Sequence, residues 1–458
     1  MLTTDLTAHD VDQLRSQVAG GVVAPGDADY ETARLAWNLT ARQRPAVVVI
    51  PDRPDDVLVA VRFAREHGLR VAAQGTGHNA MPLGEMPDTV LIKTHKMRGV
   101  ELDVENRIAR VEAGALWMDV TGPASEHGLA ALAGSSPDVG VVGYSLGGGM
   151  GWLARKLGLA ANSVTAIEIV TADGRLVRAD EFEHSDLFWA LRGGGGNFGV
   201  VTAMEFRLYE IPSIVGGAMI WPAERAREVL HAWNEWTRAA PDEVTTSARI
   251  MNIPDMEGVP DMVRGRSLVV IDGAVMGTPE EADAILAPLR ALRPEIDMFG
   301  PVPPVALSYI HMDPEEPVPG DSETAMLDTV TPEVVDLLVD RFESSAMLLL
   351  VELRHVGGEL ARAKHSSGAI AKLDAGFVFF AAGMSVPEIA VPVREQLQGV
   401  KDALEAHANG RNYSNFTEER TDTASFFGAA TYSRLRAVKS VYDPGNLFRA
   451  NHEIPPAA

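Results

Sequence analysis

A lone histidine in a glycine turn, Gln74-Gly75-Thr76-Gly77-His78-Asn79, is the first place where residue types and spacing could do chemistry. Two further glycine-dense stretches follow, Gly143 to Gly151 and Gly193 to Gly199. Glycine is permitted where the backbone must take positive φ or lie against another group, and turns that expose successive N–H groups hold anions. Three such turns, separated by strand-like segments, are expected to serve one large phosphate-bearing ligand, a dinucleotide. His78 then becomes a candidate for contacting or bonding that ligand.

Two motif readings compete with this one. Gly194-Gly195-Gly196-Asn197-Phe198-Gly199 fits the string G-x-G-x-x-G. A Rossmann turn leaves a strand and opens a helix, however, whereas here helical Asp186 to Arg192 precedes and strand-like Val200 to Leu208 follows. Gly143-Tyr144-Ser145-Leu146-Gly147 fits the nucleophile elbow G-x-S-x-G, with strand-like Val139 to Val142 before it and helix-like Met150 to Leu157 after it. A serine hydrolase using Ser145 would also need an acid and a histidine later in the chain. Asp328 or Glu352 with His355 or His452 could supply them, and nothing in the sequence distinguishes these. Each motif also has an ordinary alternative, a helix-ending turn or a satisfied histidine.

Composition narrows the field. The 458 residues exceed one simple core, and 46% of them are hydrophobic, enough to bury two structural units. Sixty-three acidic against 40 basic residues give a net charge of -23, which disfavours nucleic acid and anionic membrane surfaces as partners. The N-terminus lacks a basic and apolar leader pattern, and no stretch approaches the roughly 18 apolar residues of a membrane span, so a cytoplasmic protein is expected. With no cysteine there is no disulfide, thiolate metal site or cysteinyl cofactor bond. The twelve histidines show no ligand-like spacing, and no metal is expected.

The elements that must position these residues can be read from periodicity. Between about 45 and 210, short β-branched runs at 46–50, 70–73, 89–93, 108–112, 164–171 and 200–208 alternate with helical stretches such as 54–67. Residues 101–112 and 166–178 read as hairpins, which disfavours a purely parallel order. After Ile211-Pro212 come helix 223–238, strands 244–253 and 267–275, helices 279–292 and 331–343, strands 346–356 and 377–384, and helix 387–408. This second α+β unit is expected to pair its strands mostly antiparallel. The proline-rich stretch 300–319 reads as an exposed loop near a site.

Taken in order, these strings resemble a known family. Residues 42–211 resemble the FAD-binding domain of the vanillyl-alcohol oxidase / p-cresol methylhydroxylase superfamily, through 75–78, 137–151, 158–174, 186–193 and 196–202. Residues 412–454 resemble the C-terminal segment of berberine bridge enzyme-like oxidases, with Tyr432-Ser433-Arg434-Leu435, Val438-Lys439 and Tyr442-Asp443-Pro444 in the family's order. The resemblance implies an α+β fold: a two-part FAD-binding domain of the p-cresol methylhydroxylase type over 1–210, and a substrate-binding domain with a mainly antiparallel sheet over 211–410. A segment 411–458 would return to the FAD domain.

What the resemblance implies about the site is specific. His78 would bond the flavin 8α-methyl, and residues 74–79 and 140–149, among them Gly140, Gly143, Tyr144, Gly147, Gly148 and Gly149, would cradle the diphosphate. Gly199, Val200 and Val201 would lie near the adenine side, with Asn162 also in the cofactor-binding set. Asn415 and Asn451 would approach the isoalloxazine. Two departures stand out: the family's first turn often reads Arg-x-Gly-Gly-His where this chain has Gln74 and Thr76, and a second bonding cysteine is replaced by Ser136. The expected linkage is therefore single, through His78.

The implied reaction is hydride transfer from an alcohol or amine carbon of a small molecule to flavin N5, a base taking the O–H or N–H proton, with dioxygen reoxidising the flavin to give peroxide. Tyr413 is the first candidate base. Glu352, His355, Tyr309 and His311 are further candidates, with alternation along 346–356 placing Glu352 and Arg354 on one face and His355 on the other. Val139 matches a position where valine is associated with oxygen access, favouring an oxidase over a dehydrogenase that uses another acceptor.

Overall fold

The structure, a computed structural model, describes residues 6–257 and 259–457. It is α+β with three principal sheets. A four-stranded sheet pairs Val47–Ile50, Thr89–Lys93 and Arg70–Gln74 in parallel, with Gly21–Val23 antiparallel at its edge. Val47, Val48 and Val49 are completely buried, because a parallel sheet is covered on both faces and so reads as a continuous apolar run. Helix Pro54–Glu66 covers one face with Val57, Ala60, Val61 and Ala64. Its start is well specified. Proline opens the first turn, and the buried Asp56 carboxylate accepts hydrogen bonds from the backbone N–H groups of Ala19, Gly20 and Asp52.

A five-stranded antiparallel sheet follows, containing the two expected hairpins Val100–Asp103/Ile108–Glu112 and Val164–Val170/Leu176–Asp180 around the central strand Val200–Arg207. Helices Trp117–Glu126, Ser185–Gly194 and Ala429–Tyr442 contribute to its core. The expected strand at 139–142 is not formed. Val141–Leu146 is a short helix, because Gly140 and Gly143 break the β-branched run and Val141 and Val142 pack inward as helix residues. The expected helix 150–157 contracts to Ala154–Leu157.

The third sheet has eight strands, all antiparallel, centred on Ile214–Pro222, Ser267–Val275, Val244–Asn252, Leu350–His355, Phe377–Met384 and Gly320–Leu327. One face is apolar and carries helices Ala226–Thr237, Pro279–Arg290, Pro332–Glu343 and Ala390–Leu404. The other face carries charge. Side chains alternate along strands, so Ala248, Ile250, Ile271, Val351 and Leu353 go to the helices while Ser247, Arg249, Asp272, Glu352 and Arg354 go to the opposite side. Register sets their order: Ser247 faces both Asp272 and Arg354, and Arg249 faces Glu352.

The last 45 or so residues run back to the first sheet. Phe448 forms a parallel bridge with Val71, reinforced by backbone bonds from Val71 N–H to Leu447 and from Arg449 N–H to Val71. The fully buried Lys439 ammonium donates to Asp443 and to the carbonyl of Asn197, and Asp443 also accepts from the N–H groups of Leu447 and Phe448. Among the described residues no helix is long and apolar enough to cross a membrane. Removing one member of a buried pair strands the other charge, so Asp443→Ala is expected to cost about 3–5 kcal/mol. Denaturant unfolding of the variant measures it.

Candidate active site

The strand Arg70–Gln74 delivers the first glycine turn. Gly77 has φ of +90°, and a Cβ there would press on Ala36 and the Gln74 amide, so only glycine fits. The turn is held by backbone bonds from Trp37 N–H to Thr76 and from Asn38 N–H to Gly77. His78 lies on the Trp37 ring, centroids 4.1 Å apart, with its Nε2 3.4 Å from Asp138 Oδ2. Ser136 Oγ donates to the other Asp138 oxygen at 2.7 Å. Burial pushes the Asp138 carboxyl upward, but His78 and the Ser136 hydroxyl outweigh it and hold the group below its ordinary value.

The second turn carries two left-handed glycines, Gly148 at φ +119° and Gly149 at φ +77°. Side chains there would run into Tyr413 and Ile370, and into Tyr144 and Ala160, respectively. The two tyrosine rings thus rest on bare backbone. Asn162 closes the short turn whose Ala160 and Ala161 N–H groups bond to Gly149 and Gly148, and its side chain accepts from Gly368 N–H. The third cluster combines close packing with open space, since nothing lies within 4 Å of a Cβ built at Gly196. Gly193 abuts the backbone of Ile370 and Gly199 abuts Val170, while Val200 and Val201 are buried in two apolar cores.

The C-terminal arm crosses the first two turns. Ser414 Oγ donates to the Gly147 carbonyl at 3.0 Å, and Asn415 Nδ2 donates to Tyr144 O at 3.0 Å. Asn79 Nδ2 and His452 Nε2 donate to Ser414 O, and Asn451 Nδ2 reaches Asn79 O at 3.5 Å. This places Tyr413, 1% exposed, beside the glycine turn, its hydroxyl close to the Gly149 amide but without a hydrogen bond of normal geometry; the Tyr144 hydroxyl is buried and unpaired. Burial raises both phenols above their ordinary value, opposed at Tyr413 by the Gly149 amide and the Arg354 charge.

The charged sheet face approaches Tyr413 through Phe416, whose ring lies 5.3 Å from that of Tyr413. Arg354 is 14% exposed, sits 5.0 Å from the Phe416 ring and pairs with Glu352 through its Nε. Burial works against the Glu352 carboxylate, yet the Arg354 guanidinium holds it well below the usual carboxylate range. His311 and Asp272 complete the cluster, Nδ1 to Oδ2 at 2.8 Å. Of the five candidate bases, the fold brings Glu352 and His311 into one cluster with Arg354, and Tyr413 packs on the Phe416 ring that Arg354 also flanks. The fold does not bring in His355, which stacks on Phe377 on the helix-covered face and is lowered to about 3 by burial and Arg155, nor Tyr309, which is 48% exposed. Ser145 is no elbow nucleophile: it lies buried inside a helix, and none of the expected acid and histidine partners hydrogen-bonds to it. Asp272, Arg249 and Asp138 were not singled out from sequence; a charge within an otherwise apolar β run was the available signal for the first two.

Buried polar atoms are nearly always paired. Here Gln74 Oε1, Asn79 Oδ1, Tyr144 OH and Tyr413 OH are not. A run of unpaired donors and acceptors beside exposed glycine backbone fits a large, polar, ring-bearing cofactor.

Comparison with known proteins agrees. Residues 45–180 match the FAD binding domain family, and residues 412–455 match the berberine and berberine-like family. The chain is 29% identical to (R)-6-hydroxynicotine oxidase of Paenarthrobacter nicotinovorans, covering 96% of this chain and 97% of the relative. It is 26% identical to chitooligosaccharide oxidase of Gibberella zeae, covering 95% and 92%. An uncharacterized FAD-linked oxidoreductase of Bacillus subtilis shares 28% identity over 96% and 99%. Among solved structures, 6-hydroxy-D-nicotine oxidase from Arthrobacter nicotinovorans superposes with a TM-score of 0.84 at 26% identity, covering 96% and 98%. A berberine bridge enzyme-like protein of Physcomitrella patens gives 0.85 at 20% identity, over 98% and 99%, and shares the fold.

If bare backbone at Gly149 supports the Tyr144 ring, Gly149→Ala is expected to lower the ratio of flavin to protein several-fold and to lower the melting temperature. Gly122→Ala, where nothing lies within 4 Å of the added carbon, is the control and is expected to be neutral or up to about 1 kcal/mol stabilising. Visible absorbance of the purified variants checks both.

Proposed function

We propose a reaction for this chain, which is an FAD-linked oxidase with a berberine bridge enzyme-like C-terminal segment: two-electron oxidation of an alcohol or amine carbon in a small molecule, with hydrogen peroxide as second product. The observation that carries it is the pair of buried phenols, Tyr144 and Tyr413, whose rings rest against the second glycine turn, Tyr413 also packing on the Phe416 ring that Arg354 flanks. Bound FAD supplies the hydride acceptor and passes the electrons to dioxygen.

The chain's own residues do the rest. Residues 74–79 and 140–149 hold the cofactor, and His78 anchors it covalently, Ser136 offering no second bond. Tyr413 takes the hydroxyl or amine proton of the substrate, and Tyr144 orients the same group. Arg354 favours the ionised phenol. Glu352, kept ionised by its partners, compensates Arg354 and is not itself the base. Work divides along the chain as cofactor binding in 1–210, substrate contact in 211–410 and the base in 411–458, in a cytoplasmic protein. Relatives named as oxidases of 6-hydroxynicotine and of chitooligosaccharide support a small-molecule substrate.

Two outcomes are expected. After acid precipitation, flavin stays with the wild-type pellet and moves to the supernatant for His78→Ala. Because burial raises the Tyr413 phenol, its base form grows only as pH rises, so kcat/KM climbs through the alkaline range. Tyr413→Phe is expected to lose that rise and about 10²–10⁴-fold in kcat while retaining flavin. Peroxide formed per substrate consumed, read in the same assays, separates an oxidase from a dehydrogenase.

A further inference from the structure

We propose that His311, held by Asp272, is a positioning residue that fixes the Arg354 guanidinium against Phe416, the ring on which Tyr413 also packs, and lets go of its Nη2 when the imidazole takes a second proton. The inference rests on the reading of Tyr413 as the base.

His311 enters from the proline-rich stretch expected to be an exposed loop, yet it is only 2% exposed. Its ring lies 5.5 Å from that of Trp152. Asp272, completely buried, accepts from Ser247 Oγ, Arg249 Nη2 and His311 Nδ1. A carboxylate with that many donors is ionised; burial opposes this, and Arg249 and His311 outweigh it. The proton of the neutral imidazole is therefore on Nδ1, and Nε2 carries a lone pair.

That lone pair has a partner. Arg354 Nη2 lies 2.9 Å from Nε2, and a guanidinium nitrogen can only donate. Arg354 is thus fixed from three sides: by Glu352 at Nε, by His311 at Nη2 and by the Phe416 face. A second proton on His311 would set an N–H against an N–H and a cation against a cation. The acceptors left for Nε2–H are Glu352 Oε2 at 3.4 Å and, farther off, Asp313 Oδ1 at 3.9 Å. Protonation therefore exchanges a bond to Arg354 for one to Glu352, and Glu352 is the same carboxylate that holds Arg354 Nε. Arg354 then keeps its Nε bond to Glu352 Oε1 and loses the one at Nη2, so one polar anchor holds the guanidinium instead of two.

The surrounding charges set where this happens. Arg249 and Arg354 are balanced by Asp272 and Glu352, and Asp313, which accepts from Ser135 Oγ at 3.1 Å, adds one negative charge. Burial and Arg249 lower the imidazole; Asp313, Asp272 and Glu352 together outweigh them and raise it above the ordinary histidine value of about 6.5. The sign follows. Above the raised value His311 is neutral and holds Arg354 Nη2; below it that bond is lost and activity falls, giving an acid limb in the rate profile that is distinct from the alkaline rise of Tyr413.

The test uses the flavin-loaded protein and two variants. His311→Gln keeps an acceptor for Arg354 and a donor for Asp272 but cannot titrate, while His311→Leu keeps neither bond. Tyrosine ionisation is followed by ultraviolet difference absorbance, with the Tyr413→Phe background subtracted, and kcat/KM is measured against pH. The expected results are loss of the acid limb in His311→Gln, and a Tyr413 titration moved upward by at least about one pH unit in His311→Leu. Persistence of the acid limb in His311→Gln, or an unmoved Tyr413 titration in His311→Leu, overturns the proposal. A full rate in Tyr413→Phe overturns the base reading alone, and the phenol titration, which needs no turnover, still decides whether His311 positions Arg354.

Discussion

Three hydrogen bonds hold the site together. Ser414 and Asn415 donate to the carbonyls of Gly147 and Tyr144, and Asn79 donates back to Ser414. They join segments more than 260 residues apart, and they are possible only because Gly147 has no side chain where the Asn415 amide sits. Without that crossing, Tyr413 would have no fixed relation to His78, to Tyr144 or to the charged sheet. The remaining architecture, including the buried Lys439–Asp443 pair and the Val71–Phe448 bridge, returns the arm to this place and keeps it there.

The second constraint is electrostatic. A sheet with helices on one side would ordinarily turn a solvated face outward, but here the opposite face is enclosed and bears two arginines, two carboxylates and a histidine. Desolvating these groups is costly, and each charge is offset by a neighbour of opposite sign. The cluster is therefore better understood as a fixed field aimed at the phenols than as a stabilising feature. Preorganised charge of this kind needs no rearrangement at the moment of reaction.

How much of this was legible in the sequence follows from how local each signal is. The requirement for glycine at 77, 148 and 149 is local, and these turns could be found without the fold. The separation of Glu352 from His355 by strand alternation was legible for the same reason. The helix at 141–146 was not, because its β-branched residues favour a strand and only flanking glycines and tertiary packing override them. In the third glycine cluster the close contacts of Gly193 with Ile370 and of Gly199 with Val170 were not legible, because both partners are far away in sequence. Asp272 and Arg249 were invisible as a site because their partners lie on other strands and in the 309–319 stretch, joined only by register. Burial of His311 inside a segment rich in proline ran against the ordinary expectation for such a loop.

The central claim is that the glycine turns, the C-terminal arm and the charged sheet face form one flavin site with Tyr413 at the reacting end. A crystal structure of the protein purified from riboflavin-replete cells tests it most directly. The account predicts continuous density from the His78 ring into the flavin, with the flavin ring in contact with Tyr413. Flavin density elsewhere in the molecule, or a ring separated from Tyr413 by intervening protein, would contradict it.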